Sequence, residues 1–388
     1  MAIKHFSCSK DTFWWTSLLT LIFCCGVLVL FHRNSLQPAI QIPANPDKVA
    51  ALLAHLRNNS LPVLPAPHNS SKCHFTTSAL QNGPGSLTRR FNLTVDTRPK
   101  LRFGDKSNYK SSADFDGLSG VPHIIHQMYH VGVLSIVYKE WMRSWLKKNP
   151  GWQYWFWTVQ DINRLINTRF TNFKQYFHRY KLNIERYDSF RYFALYEYGG
   201  FYADLDVACL QSLDAKLAEH DCLLSVEPNI QALILYQKER LLSNGIMACR
   251  PRHPFFQYVA DSLTRDKRID SIDISRVTGP RMLDSSYDEF SCVYPQYAPH
   301  IPEDYIFQPL PDPRLYDQFY RECSKIVKDK NKLREIKLCQ PYLNRYKIKA
   351  SNESLTAHYW VHAWLSQFAN DKFGLHQERR TFKAKDLY

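Results

Sequence analysis

The stretch Arg186–Val207, RYDSFRYFALYEYGGFYADLDV, sets two carboxylates, Asp204 and Asp206, two positions apart at the end of an apolar run. In an extended strand side chains alternate, so both acids are expected on one side, with Leu205 on the other. Like charges this close repel. The pairing makes chemical sense when a divalent cation, Mg²⁺ or Mn²⁺, sits between the acids and an anionic ligand, because hard cations prefer oxygen donors. Taken bare, the spacing is common by chance, and its bland alternative is a solvated turn. The context favours a ligand site: a helix, a Gly199-Gly200 break, an apolar strand, then the acids. Asp188 and Arg191 stand three apart, on one face of that helix. Arg186 and Arg191 offer planar guanidinium forks that can neutralise phosphate oxygens or brace the aspartates, against the plain reading of surface ion pairs.

The elements that must position these groups follow from pattern. Val121–Gln127 is a short apolar run after Gly120 and predicts a strand, Leu134–Lys148 has helical spacing stopped by Asn149-Pro150, and Trp152–Trp157 predicts a second strand. Strand, helix, strand at this spacing opens a parallel α/β sheet. Helices are expected near Val159–Asn167, Lys174–Tyr180 and Asp188–Tyr198, the last capped by the two glycines, followed by a strand over Phe201–Leu205. Beyond Cys209 the pattern is mixed, and it contains neither an internal repeat nor a low-complexity tract.

Upstream, Phe13–Phe31 is free of charge and about as long as a bilayer-crossing helix. No small-residue cleavage site follows it before His32-Arg33, so an uncleaved signal anchor is expected over 13–31, behind a short cytoplasmic tail over 1–12. Residues 32–119 are rich in Pro, Ser and Asn and predict a stem, leaving 120–388 as the folded domain. Four glycosylation sequons, at Asn58, Asn69, Asn92 and Asn352, all follow the anchor and favour a lumenal bulk. Cys73, Cys209, Cys222, Cys249, Cys292, Cys323 and Cys339 then face the oxidising side; the odd number leaves at least one unpaired or paired between chains, and no CxxC suggests a zinc site. The net charge of +14 suits a nucleotide diphosphate or an anionic membrane. Its basic residues are scattered, without a zinc-finger spacing or basic groove-reading helix, so nucleic acid is not an expected partner.

The motif Arg-x-Asp-x-x-Arg followed by GGxYxDxD resembles glycosyltransferase family 32, DxD-containing sugar transferases that include initiating and inositol-phosphoceramide mannosyltransferases, with α1,4-galactosyl- and α1,4-N-acetylglucosaminyltransferases as relatives. VPHIIHQMY at Val121–Tyr129, NPGWQYWFWT at Asn149–Thr158, Asn244-Gly245, HPFF at His253–Phe256, Thr278-Gly279-Pro280 and His362-x-Trp364 are similar to further family blocks. The resemblance covers Gly120–Trp364 and implies a GT-A type, Rossmann-like nucleotide-sugar-binding domain. It implies Asp206 as a direct metal ligand and Asp204 as its partner toward donor sugar, ribose or metal-bound water. Asp188 and Arg191 would hold donor sugar and phosphate, with Tyr202 and Arg186 on the donor side. His362 would complete the metal or diphosphate contacts, and His358 competes for that place. Two departures stand out: His126-Gln127-Met128-Tyr129 where many members have His-Gln-Thr-Trp, and no second hydrophobic segment at the C-terminus of the kind some ceramide-acting relatives carry.

The implied activity is retaining, metal-dependent transfer of a hexose from GDP-mannose or a UDP-sugar to a glycan or glycolipid in the Golgi lumen, by a single-pass type II protein. A metal-dependent phosphohydrolase would need further His and Asp ligands at recognisable spacing. A catalytically silent lumenal sugar-binding protein with the same fold is the alternative, and donor turnover separates the two.

Overall fold

A computed structural model describes residues 95–104, 120–265, 273–344, 348–361 and 380–387. The expected anchor over 13–31 and three of the four sequons lie outside the described residues, as does His362. Among the described residues no helix is long and apolar enough to cross a membrane.

The chain opens with β1 (Leu101–Phe103) and β2 (Ile124–Met128), then β3 (Val133–Ser135), helix α1 (Val137–Lys148) and β4 (Gln153–Trp157). Helices α2 (Val159–Arg169), α3 (Thr171–Arg179) and α4 (Asn183–Tyr198) lead to β5 (Gly200–Ala203) and β6 (Val207–Cys209). Then come β7 (Cys222–Val226), α5 (Asn229–Tyr236), β8 (Leu242–Cys249), α6 (Pro254–Arg265), α7 (Pro280–Val293), α8 (Tyr316–Ile326), α9 (Leu333–Leu343), β9 (Thr356–His358) and β10 (Thr381–Lys383). One sheet runs in the order β1-β4-β2-β5-β8-β7. Its centre, β4-β2-β5, is parallel, and β1, β8 and β7 add antiparallel edges. The α/β expectation therefore holds, with a mixed sheet around a parallel heart.

β4 is buried along its whole length, as a strand covered on both faces must be. Its alternation divides the core: Trp155 and Trp157 join the layer under α2–α4, α6 and α7, whereas Tyr154 and Phe156 join the layer under α1. Thr158 caps α2 reciprocally with Asp161, which fixes where β4 ends and the helix begins. α4 is buried on nearly every side, so it forms the centre of its layer and not a surface helix.

Three expectations are corrected here. Packing starts before residue 120, because β1 pairs with β4 and Thr97 is buried against Tyr198, both within the span expected to be stem. The strand expected over Phe201–Leu205 stops at Ala203; the Val207 amide donates to the Asp204 carbonyl (3.1 Å), so Asp204–Val207 is a tight turn between β5 and β6. The helix expected from Asp188 starts a turn earlier, at Asn183, where the Glu185 carboxylate accepts from the Leu182 amide at 2.8 Å. Cys222–Cys249 and Cys323–Cys339 are disulfides, and Cys209 is free and buried, which accounts for one unpaired thiol of the odd set.

Candidate active site

Ligands of open α/β sheets bind beyond the carboxyl ends of the parallel strands. β5 delivers Asp204 there. Its placement depends on Gly200, whose φ of +97° and approach to β2 leave no room for a side chain: a Cβ would meet the Ile124 carbonyl oxygen at 2.5 Å and His126 Nε2 at 3.0 Å. His126 and Gln127, next to each other on β2, hold the two ends of β5. His126 Nε2 donates to the Gly199 carbonyl (2.8 Å) while its Nδ1 accepts from Trp157 Nε1 (3.0 Å). Burial pushes its pKa down to about 4, so this histidine is neutral and structural. Gln127 accepts from the Tyr154 hydroxyl (2.6 Å) and donates to the Asp204 carbonyl (2.9 Å). The His-Gln pair of β2 thus anchors β5 at both ends, Gln127 bracing the acidic turn, a role the sequence did not disclose.

Although they lie in a turn and not in a strand, the acids converge. One oxygen each of Asp204 and Asp206 and a ring nitrogen of His358 lie within 4.8 Å of one another. His358 comes from β9, which pairs antiparallel with β6 and sets Val207 opposite His358. Asp206 Oδ1 faces His358 Nε2 at 3.3 Å, and its Oδ2 accepts the Val361 amide at 2.7 Å. His358 Nδ1 lies 3.3 Å from Gln308 Oε1. Burial disfavours a charged imidazole there, but Asp206, with Asp204 and Glu227 beyond it, outweighs burial and raises the His358 pKa. Two carboxylates and an imidazole are a donor set that fits a Mn²⁺ or Mg²⁺ ion. Of the two competing histidines, His358 is the one the described residues bring to the acids.

Behind Asp204 lies a second layer, and here Arg191 is the hub. Its guanidinium reaches Asp188 at 3.0 Å and Asp204 at 3.2 Å, donates to the Asn244 carbonyl at 2.7 Å, and lies 4.9 Å from the Tyr202 ring centroid. The i,i+3 spacing read from the helix is realised as that first contact. Tyr202 donates its hydroxyl to Asp204 Oδ1 at 2.9 Å, so it braces the carboxylate. Burial is the main influence on Asp188 and lifts its pKa to about 6, with Arg191 pulling the other way. Arg191 Nε is buried and has no acceptor among the described residues. Arg186, by contrast, is not brought to the acids: it donates to the Asn183 side chain and the Tyr180 carbonyl, tying α4 to the end of α3.

Gly245 on β8 completes the cradle. The Asp204 amide donates to its carbonyl at 2.8 Å, and a Cβ there would lie 2.9 Å from Asp204 Oδ2. Gly245→Ala should therefore displace a carboxylate that Tyr202 and Arg191 otherwise fix. The expected outcome is metal affinity weakened about tenfold, the loss seen when an outer support of a site is disturbed, with little change in melting temperature. Titration with Mn²⁺ followed by calorimetry checks it; unchanged affinity would show that Asp204 yields freely.

Glu227, immediately after β7, escaped sequence reasoning because a lone Glu before a proline carries no spacing signal. It is buried, accepts from Gln231 Nε2 at 3.1 Å, and feels His358 and Asp204. Burial pushes its pKa up to about 7. The folded protein therefore holds a proton that the unfolded chain releases above about pH 4.5, and stability falls as pH rises from there to about 7. Glu227→Gln should remove that slope. In metal-free protein the variant is expected to be the more stable form at pH 8, by on the order of 3 kcal/mol, and equal near pH 4. Parallel pH dependences of melting temperature in both proteins would refute this account.

Residues 137–224 match the family described as a glycosyltransferase sugar-binding region containing a DXD motif. Over that stretch, which holds Asp204 and Asp206, the chain is similar to DXD-containing glycosyltransferases. The inositol phosphoceramide mannosyltransferase 1 of Schizosaccharomyces pombe is 31% identical over 186 residues, 47% of this chain and 52% of the relative. The mannosyl phosphorylinositol ceramide synthase SUR1 of Saccharomyces cerevisiae is 34% identical over 173 residues, 44% of this chain and 42% of the relative. The uncharacterized glycosyltransferase L373 of Acanthamoeba polyphaga mimivirus is 26% identical over 174 residues, 44% of this chain and 66% of the relative. The chain spans about half the length of the mannosyltransferases it matches. The family resemblance carried by GGxYxDxD is shown by these matches.

Proposed function

We propose that this glycosyltransferase domain moves a hexosyl group from a nucleotide sugar to a hydroxyl of a glycan or glycolipid, with retention at the anomeric carbon. The observation that carries the reading is the convergence of Asp204, Asp206 and His358 within 4.8 Å at the end of the parallel strands, with Arg191 buried behind them. A divalent cation held by these three would neutralise charge on the departing diphosphate. Asp206, pinned by the Val361 amide, and Asp204, pinned by Tyr202 and Arg191, present fixed oxygens that need no reorganisation during reaction. Arg191 fixes Asp188 and Asp204 relative to one another, and its charge, set behind the acids, adds to the positive field that an anionic substrate meets. The matched mannosyltransferases favour mannose as the sugar and an inositol-phosphate sphingolipid as the first acceptor to test.

The reading extends to a Golgi protein with its domain in the lumen, anchored by 13–31. Two observations support it: the disulfides Cys222–Cys249 and Cys323–Cys339, which belong to oxidising compartments, and Asn352, exposed in a turn where a glycan fits. Hydrolysis of GDP-mannose, UDP-galactose and UDP-N-acetylglucosamine by purified protein with Mn²⁺ tests the activity. Cleavage of one donor, lost with EDTA, is expected. If folded protein binds a nucleotide sugar yet cleaves none, the silent sugar-binding reading replaces this one.

A further inference from the structure

α8 and α9 form an antiparallel hairpin with its own small core. Phe319, Cys323 and Cys339 pack with Ile230 and Ile234 of α5 in a cluster separate from the two layers of the main sheet. The Cys323–Cys339 disulfide ties the two helices together. The turn between them and the start of α9 read Val327-Lys328-Asp329-Lys330-Asn331-Lys332-Leu333-Arg334. Four cations stand there against one acid. Arg334 pairs with Glu239 at 2.7 Å. Lys328, Lys330, Lys332 and, one turn further along α9, Lys337 have no carboxylate partner among the described residues. Asp329 accepts from the Asn331 amide at 3.1 Å, shaping the turn. Among these charges Leu333 is 75% exposed, the most exposed of the large apolar side chains described.

A solvated charged turn explains the lysines but not the exposed leucine that opens α9. An exposed apolar side chain close in sequence to three lysines without carboxylate partners matches an anionic bilayer surface, where the charges lie over phosphates and the apolar group enters the acyl boundary. Resting on the lumenal placement above, we propose that the tip of the α8–α9 hairpin, Lys328–Arg334, docks on the lumenal leaflet through anionic inositol-phosphate lipid headgroups. The cysteine staple suits this role, because a hairpin held rigid loses little conformational freedom on docking. α9 also walls a cavity of about 570 Å³ together with Pro309, Pro311 and Pro228, the residue after Glu227.

Each unpaired lysine at an anionic surface strengthens partition by about fivefold, so losing three weakens it by about a hundredfold. The test uses the full-length protein incubated with vesicles of phosphatidylcholine alone or doped with phosphatidylinositol, read by amide hydrogen exchange over residues 326–340. Local readout separates the hairpin from any other attachment. Exchange is expected to slow at least tenfold with the anionic vesicles alone, to recover at high salt, and to be unaffected by lipid in Lys328→Glu/Lys330→Glu/Lys332→Glu. Leu333→Ser should keep part of the protection. Equal protection with neutral vesicles, or protection surviving in the triple variant, overturns the proposal. So does no protection with either lipid, which would leave an acidic protein as the partner. Donor hydrolysis and melting temperature should match wild type in both variants, since these side chains lie outside the acidic site.

Discussion

Asp206→Asn is expected to lower sugar transfer by roughly 10²–10³-fold or more while leaving the domain folded. Asparagine retains an oxygen for the Val361 amide but removes the charge that faces His358 and anchors the cation. Two changes to stability oppose each other. Repulsion from Asp204 is relieved, and the raised basicity of His358 loses its main support. The net change should be within about 1 kcal/mol in metal-free protein. EDTA should reproduce the defect in wild type, and Mn²⁺ should restore wild type alone. Near-normal transfer that ignores EDTA would remove the acidic turn from the mechanism.

Arg191→Ala should be the most destabilising single change in the site. The side chain is buried and stands between Asp188, buried like itself, and Asp204, which is partly exposed toward the site. Truncation leaves both without their counter-charge, and breaking a buried pair in this way costs about 3–5 kcal/mol. Arg191→Lys keeps the charge but cannot reach Asp188, Asp204 and the Asn244 carbonyl at once. It should unfold with a loss of about 1–2 kcal/mol and bind nucleotide diphosphate at least tenfold more weakly. Denaturant unfolding and calorimetric titration report the two effects separately. An alanine variant as stable as wild type would mean the acids are solvated, and equal nucleotide affinity in the lysine variant would confine Arg191 to bracing.

The parts of the site that were legible in the sequence are those whose geometry is local. Asp188 and Arg191 meet because three residues of helix make nearly a full turn, and the Gly-Gly break before an acid pair marks a strand end whatever lies elsewhere. Local pattern failed where tertiary contacts take over. The period-two expectation for Asp204 and Asp206 ended at Ala203, yet the acids still face one site, because the turn and the β6–β9 pairing gather them. Arg186 and Arg191 look alike in sequence; burial separates them, one tying helix ends and the other buried among carboxylates. Gln127 showed only as part of a family block and Glu227 gave no signal, since the groups they face, Tyr154, Asp204 and His358, come from distant parts of the chain. β6 and β9, three residues each, are too short to show a period at all.

That β6–β9 pair fixes the order in which the site can be assembled. Val207 and His358 are partners across about 150 residues of chain, so the contact that completes the donor set has one of the highest loop-closure costs in the domain. The main sheet, whose strands all lie between Leu101 and Cys249, can form before that contact exists; the complete acidic site cannot. A ligand bound across Asp204, Asp206 and His358 therefore acts as a clasp between the first and last parts of the fold, stabilising the docked form by mass action. Because binding is linked to the docked β9, metal occupancy and protease resistance near Thr356 should rise together.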